Sequence, residues 1–114
     1  MLADGGFIER RKDERISTRY PADVLKQGKD QSLAATIIDY SEGGLCLETP
    51  EAQHIGEKIR IVINSNLGKQ GAMLRVRWTI RRSEDVQLAG CEFLSMRDSA
   101  GFLNALGNNT AGNE

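Results

Sequence analysis

Arg11 and Arg15 stand four residues apart near the start of the chain, as Arg11-x-x-x-Arg15, and Arg10 precedes them. Further on comes Asp39-x-Ser41-x-x-Gly44. Each arginine presents a planar fork that meets two acceptors at once, on a phosphate or on the O6/N7 edge of guanine. A carboxylate such as Asp39 accepts from N–H groups, including those on the opposite edge of guanine. Ser41 adds a small hydroxyl that reaches phosphate or backbone, and Gly44 permits a tight turn with no side chain in the way. In an extended arm, positions four apart reach round opposite sides of a small ligand. Asp39 and Ser41, two apart at a strand end, project to one side. In this order the motifs describe a two-jawed pocket for an anionic guanine nucleotide.

Taken singly, each motif has a plainer reading. The run from Glu9 to Arg19 has the composition of a solvated charged segment. The stretch Asp39-Tyr40-Ser41-Glu42-Gly43-Gly44 is built from standard turn residues. Their combination favours the pocket. Catalysis is not expected: Ser41 as a nucleophile needs a base, and the single histidine, His54, forms no triad arrangement. Cys46 and Cys91 each lie in an apolar run and outside any CxxC spacing, so they read as buried, reduced thiols. Without a Cys/His cluster no zinc site and no cofactor are expected. Arg75, Arg77, Arg81 and Arg82 form a second basic stripe, read as solvated strand surface, with Arg77 joining the phosphates if its strand runs near the arm.

The 114 residues suit one domain, with 39% hydrophobic and 27% charged residues. The formal net charge of −1 argues against bulk binding to long nucleic acid, which favours a strongly basic domain. It leaves room for a small anion held by a local cluster. No apolar stretch reaches 18 residues, so no helical membrane span is expected. The opening Met1-Leu2-Ala3-Asp4-Gly5-Gly6 lacks the features of a secretory signal, and a cytoplasmic location is expected.

The elements that must position the motifs are mainly strands. Residues 1–6 read as a flexible leader and 7–19 as a charged arm. Pro21 disfavours helix before it, and a short first strand is expected over 22–26. In the next, from Ser32 to Tyr40, both faces are apolar. Ser41 to Gly44 turns into a return strand, Leu45-Cys46-Leu47-Glu48. Ile59, Ile61 and Ile63 alternate with Lys58, Arg60 and Val62, a clear period of two. The strand after it is expected to place Leu74, Val76, Trp78 and Ile80 inward. A last strand is expected over 86–95, with Gly90 as a bulge or a point of close approach. Residues 97–106 read as a helix stopped by Gly107, and 107–114 as a disordered tail. Six short strands and one helix predict an all-β domain, a small antiparallel barrel with a helix against it.

Both motifs, in this order, resemble the signature of the PilZ domain family. The flanking Glu9-Arg10-Arg11, Gly43-Gly44-Leu45 and Gly90-Cys91-Glu92-Phe93 strengthen the likeness, which covers residues 7–106. The resemblance implies a six-stranded antiparallel barrel of Greek-key or split type with a C-terminal helix, and a receptor for the bacterial second messenger cyclic di-GMP. By that likeness Arg11 and Arg15 hold guanine and phosphate, Asp39 and Ser41 bind the ligand's other side, and Gly44 shapes the turn. An arginine at the place of Arg10 accompanies an intercalated pair of ligands, which implies two per domain. The family's aromatic beside the guanine falls to Trp78, whose inward place in the strand pattern suits plain core equally. The arm closing over a bound ligand then forms a surface for an effector protein. No second domain is expected. Two other functions fit the sequence: a PilZ interaction module that works without ligand, and a barrel of OB type binding nucleic acid. Against the latter stands the 5% aromatic content, since such surfaces rely on stacking.

Overall fold

The structure, a computed structural model, describes residues 14–26 and 28–112. Six strands follow one another: β1 (Ile16–Lys26), β2 (Ser32–Tyr40), β3 (Gly44–Thr49), β4 (Lys58–Ser65), β5 (Gly68–Ser83) and β6 (Val86–Phe93), and then helix α1 (Met96–Gly112). The strands close into a barrel in the order β1-β2-β3-β6-β5-β4, every pairing antiparallel. The fold class expected from the sequence is therefore the one observed.

Alternation fills the interior. Ile59, Ile61 and Ile63 of β4 are buried, as are Val24, Ile37, Leu45, Leu47, Leu74 and Val76 from the other strands. Each such side chain contributes about 1.5–3 kcal/mol by leaving water. Helix α1 closes the core with Phe102, Ala105 and Leu106, spaced three and one apart on one face and all fully buried. Phe102 meets Phe93 edge to face, with ring centroids 6.0 Å apart. Ser95, a favoured N-cap residue type, stands just before the helix, and its carbonyl accepts from the Ser99 amide at 3.0 Å.

Several expected boundaries move. β1 begins at Ile16, six residues before the expected start at Ala22, so the end of the presumed arm is strand. Pro21 is accommodated where β4 does not pair: β4 meets only Asp23–Lys26, so at Pro21 the strand has β2 alone beside it, an edge position of the kind that tolerates proline. β6 ends at Phe93 instead of Ser95. Helix α1 runs through Gly107 to Gly112, into the stretch expected to be disordered. Gly107 does not adopt the left-handed conformation that a glycine stop requires. The expected leader 1–6, and the arm up to residue 13, lie outside the described residues.

A correction with functional weight concerns β5. Trp78 and Ile80, expected inward, are 43% and 53% exposed. The register shows why: Val76 faces Cys91, but Trp78 already faces Gly90, so Arg77 is an extra residue in a bulge. One inserted residue reverses the facing of every side chain after it.

Candidate functional site

Bulges also interrupt β1 between Ser17 and Tyr20 and β2 between Ile37 and Asp39. With the bulge at Arg77 they border one region of the barrel surface. There a cross-strand row runs Ser17–Asp39–Cys46–Gly90–Trp78, each residue opposite the next. Asp39 and Trp78 stand at two ends of its last four members, three strand spacings or about 14 Å apart. Between them the small side chains of Cys46 and Gly90 leave a cleft of about 410 Å³. Its walls include Arg15, Ile38, Arg77 and Leu88.

Arg15, immediately before β1, is held on the β2 side. Its Nε and one terminal nitrogen donate to Asp39 Oδ1 at 2.9 and 2.6 Å, and its other terminal nitrogen donates to Ser41 Oγ at 3.3 Å. These three bonds leave two of the five guanidinium N–H groups for a ligand. Both partners are partly exposed, 44% and 30%, so the ion pair contributes at most about 1 kcal/mol. Buried Ser41 also accepts from the Gly43 amide at 3.3 Å, while its own amide donates to the Gly44 carbonyl at 2.8 Å. It thus ties the turn to the arginine.

Gly44 has a packing reason of its own. A Cβ there would collide with the Cys91 carbonyl of the facing strand, so a glycine lets β3 and β6 approach. Gly90 acts similarly for a side chain: a Cβ would overlap the Trp78 indole, which lies over the bare backbone. Arg77 points to Glu92 at 3.2 Å. Nearby, Glu48 meets Arg19 at 2.9 Å and Arg82 at 3.8 Å.

The thiols in this region stay protonated at neutral pH. Burial, aided by the Asp39 charge, pushes Cys46 up to about 11. Burial, aided by Cys46, pushes Cys91 up to about 12. Neither supplies a thiolate nucleophile at neutral pH. No group of three His, Cys, Asp or Glu side chains among the described residues is placed to hold a metal ion. No helix among them is long and apolar enough to cross a membrane.

Of the residues singled out in the sequence, Arg15, Asp39 and Ser41 meet directly, and Trp78 stands across the cleft from them. Gly44 sits at the edge as a packing residue. Arg10 and Arg11 lie outside the described residues. Sequence reasoning missed Cys46, Ile38 and Leu88 as cleft residues. Alternation along single strands carries no signal for them, because the cleft is defined by a row across strands.

Comparison with known proteins supplies an independent line. The family model described as PilZ domain matches residues 9–108. No curated protein shows a significant sequence match. Among solved structures, the PilZ domain of YcgR from Escherichia coli, determined with c-di-GMP, superposes with a TM-score of 0.70 at 17% identity, covering 90% of this chain and 93% of that one. The PilZ domain of CeSA from a cellulose-synthesizing bacterium gives 0.60 at 14% identity, over 82% and 96%. The Bacillus subtilis inhibitor of motility MotI/DgrA gives 0.62 at 13%, over 91% of this chain and 51% of its own length. At these identities the likeness is one of fold.

Proposed function

Because the chain belongs to the PilZ domain family, we propose that it is a cyclic di-GMP receptor and adaptor that works by binding, without catalysis, in the bacterial cytoplasm. The observation that carries this reading is the assembly of Arg15, Asp39 and Ser41 on one side of a cleft with an exposed tryptophan on the other. The neighbour from Escherichia coli was determined with the same ligand.

Each part of the cleft has a task. The free N–H groups of Arg15 donate to guanine O6 and N7 or to a phosphate oxygen. Asp39 has a second carboxylate oxygen, Oδ2, with which to accept from the other edge of guanine. The Trp78 face offers a stacking surface for a base. Arg77, freed from Glu92, adds charge toward phosphate. Arg10 and Arg11 complete the cage from the N-terminal segment, with Arg10 favouring two intercalated ligands. Ordering of that segment over the bound ligand then builds a surface for an effector protein.

Calorimetric titration with cyclic di-GMP tests the proposal. The expected result is saturable binding with two ligands per chain; a ratio near one removes the role given to Arg10, and no heat at tens of micromolar ligand ends the receptor reading. The ligand-independent interaction module is the second reading. It draws support from the closure of Arg15 onto Asp39 and Ser41, which satisfies the motif internally.

A further inference from the structure

The barrel has a second face, centred on β4, on which cations gather without carboxylate partners within 4 Å among the described residues. We propose that this face is a docking groove for an acidic segment of a partner protein, one that alternates carboxylates with apolar side chains. The groove consists of two adjoining hollows of about 380 and 330 Å³ that share Leu25 and Arg60. Its floor is apolar, from Leu25, Val62 and Met73. Its rim is cationic, from Lys29, Lys58, Arg60 and Lys69.

Three observations make the charge meaningful. First, Asp23 is the sole acid lining the two hollows, and Lys26 is drawn off toward Glu57 at 3.9 Å. Among the described residues, no ion pair within 4 Å joins the rim cations to a carboxylate. Second, Lys58 stands directly opposite Arg75 on the neighbouring strand. Like charges so placed repel; Glu92 stands opposite Arg75 on its far side, so the Lys58 end is the one that gains from an added anion. Third, Gly71 makes room for Arg60: a Cβ there would come within 3.0 Å of the guanidinium, so the bare strand lets this side chain lie along the groove. On a chain of net charge −1 this is a local concentration of positive charge.

The chemistry narrows the occupant. On this face β4 is paired with β1 on one side and with β5 on the other, so a partner segment cannot add as a strand there and must be held through side chains. The hollows present aliphatic floors and no aromatic platform, which disfavours single-stranded nucleic acid. A planar bilayer leaves concave hollows unfilled. An acidic peptide with apolar residues at alternate positions fills the floor and neutralises the rim together.

The test uses the full chain and a fluorescein-labelled peptide alternating glutamate and leucine, about eight residues or ~27 Å when extended, read by fluorescence anisotropy. Saturable binding is expected, weakened about tenfold or more by the pair Arg60→Glu and Lys69→Glu, and by raising salt from about 50 to 300 mM. Replacing the leucines of the probe with serine is expected to weaken it further, as the floor demands. Arg81→Glu, a charge change on β5 outside both hollows, leaves peptide binding unchanged, as does saturating cyclic di-GMP. Thermal melting of each variant confirms folding. The proposal is overturned by absence of binding at about 1 mM peptide. Equal loss in Arg81→Glu overturns it too, as does preference for an oligonucleotide or for phosphatidylglycerol vesicles over the peptide. Self-association of the chain abolished by Lys69→Glu would assign the groove to a second copy instead.

Discussion

The cleft face and the β4 face of the barrel treat charge in opposite ways. Around the cleft Arg15, Arg19, Arg77 and Arg82 each face a carboxylate within 4 Å. On the β4 face Lys29, Lys58, Arg60 and Lys69 meet none among the described residues. The cleft cations are thus held in place before any ligand arrives, and part of their binding capacity is already used. The β4 cations have no such partner holding them. The formal charge of the chain conceals this division, since it sums two surfaces of different character. A surface of paired forks suits a small planar ligand, whereas a surface of unpaired, mainly lysine cations suits an irregular acidic one.

Glycine substitutions separate the two faces most sharply. Gly44→Ala on the cleft side drives a Cβ into the Cys91 carbonyl, and separating two strand backbones is expected to cost about 3 kcal/mol, seen as a lowered urea midpoint. Gly71→Ala on the β4 side meets the flexible end of Arg60 at 3.0 Å, and a cost under about 1 kcal/mol is expected. Equal losses would erase the distinction between a rigid face and a yielding one. Next in size is ligand binding: Arg15→Ala or Asp39→Ala is expected to weaken cyclic di-GMP by about 1–3 kcal/mol in calorimetry, while Lys58→Ala leaves it unchanged.

Gly90→Ala is expected to lift the indole off its backbone seat. Trp78 is the single tryptophan, so emission spectra report the cleft alone, and a shift should appear before any ligand is added. Alkaline pH also acts mainly on the cleft side. A thiol whose pKa is raised in the folded state holds its proton when the unfolded chain has lost it. Stability is therefore full below about 9 and falls as pH rises toward the folded values of about 11 for Cys46 and 12 for Cys91. Urea midpoints measured between these limits should fall, and less steeply in Cys46→Ala. Buried Tyr20, also raised, adds to the decline in both proteins. The smallest effect belongs to Arg19→Ala, since its exposed pair with Glu48 contributes at most about 1 kcal/mol to the melting behaviour.

Legibility in the sequence followed the regularity of the backbone. Ile59, Ile61 and Ile63 announce their facing because β4 keeps perfect alternation along its length. Phe102 and Leu106 do the same at helical spacing. Trp78 and Ile80 could not be placed, because nothing in Arg77 itself declares that it will bulge. The start of β1 was hidden by charged residues such as Arg19, whose partner Glu48 is distant in sequence. Arg15, Asp39 and Ser41 were legible as chemistry. Their mutual bonding, and the floor of Cys46 and Gly90 beside them, emerged only once four strands were laid side by side.

Ring closure has a consequence for how such a gene tolerates change. In an open sheet an inserted codon disturbs one flank and can be relieved at the edge. Here every strand has a neighbour on each side for at least part of its length, so a residue lost or gained in a doubly paired stretch has little room to dissipate. Deleting codon 77 would restore simple alternation to β5 and send the indole into the interior, abolishing the cleft while leaving Arg15, Asp39 and Ser41 in place. Codons at the hairpin tip around Leu67 carry no such burden. Insertions and deletions are therefore expected to be tolerated in the turns, while the bulges act as fixed punctuation whose removal alters the meaning of everything downstream.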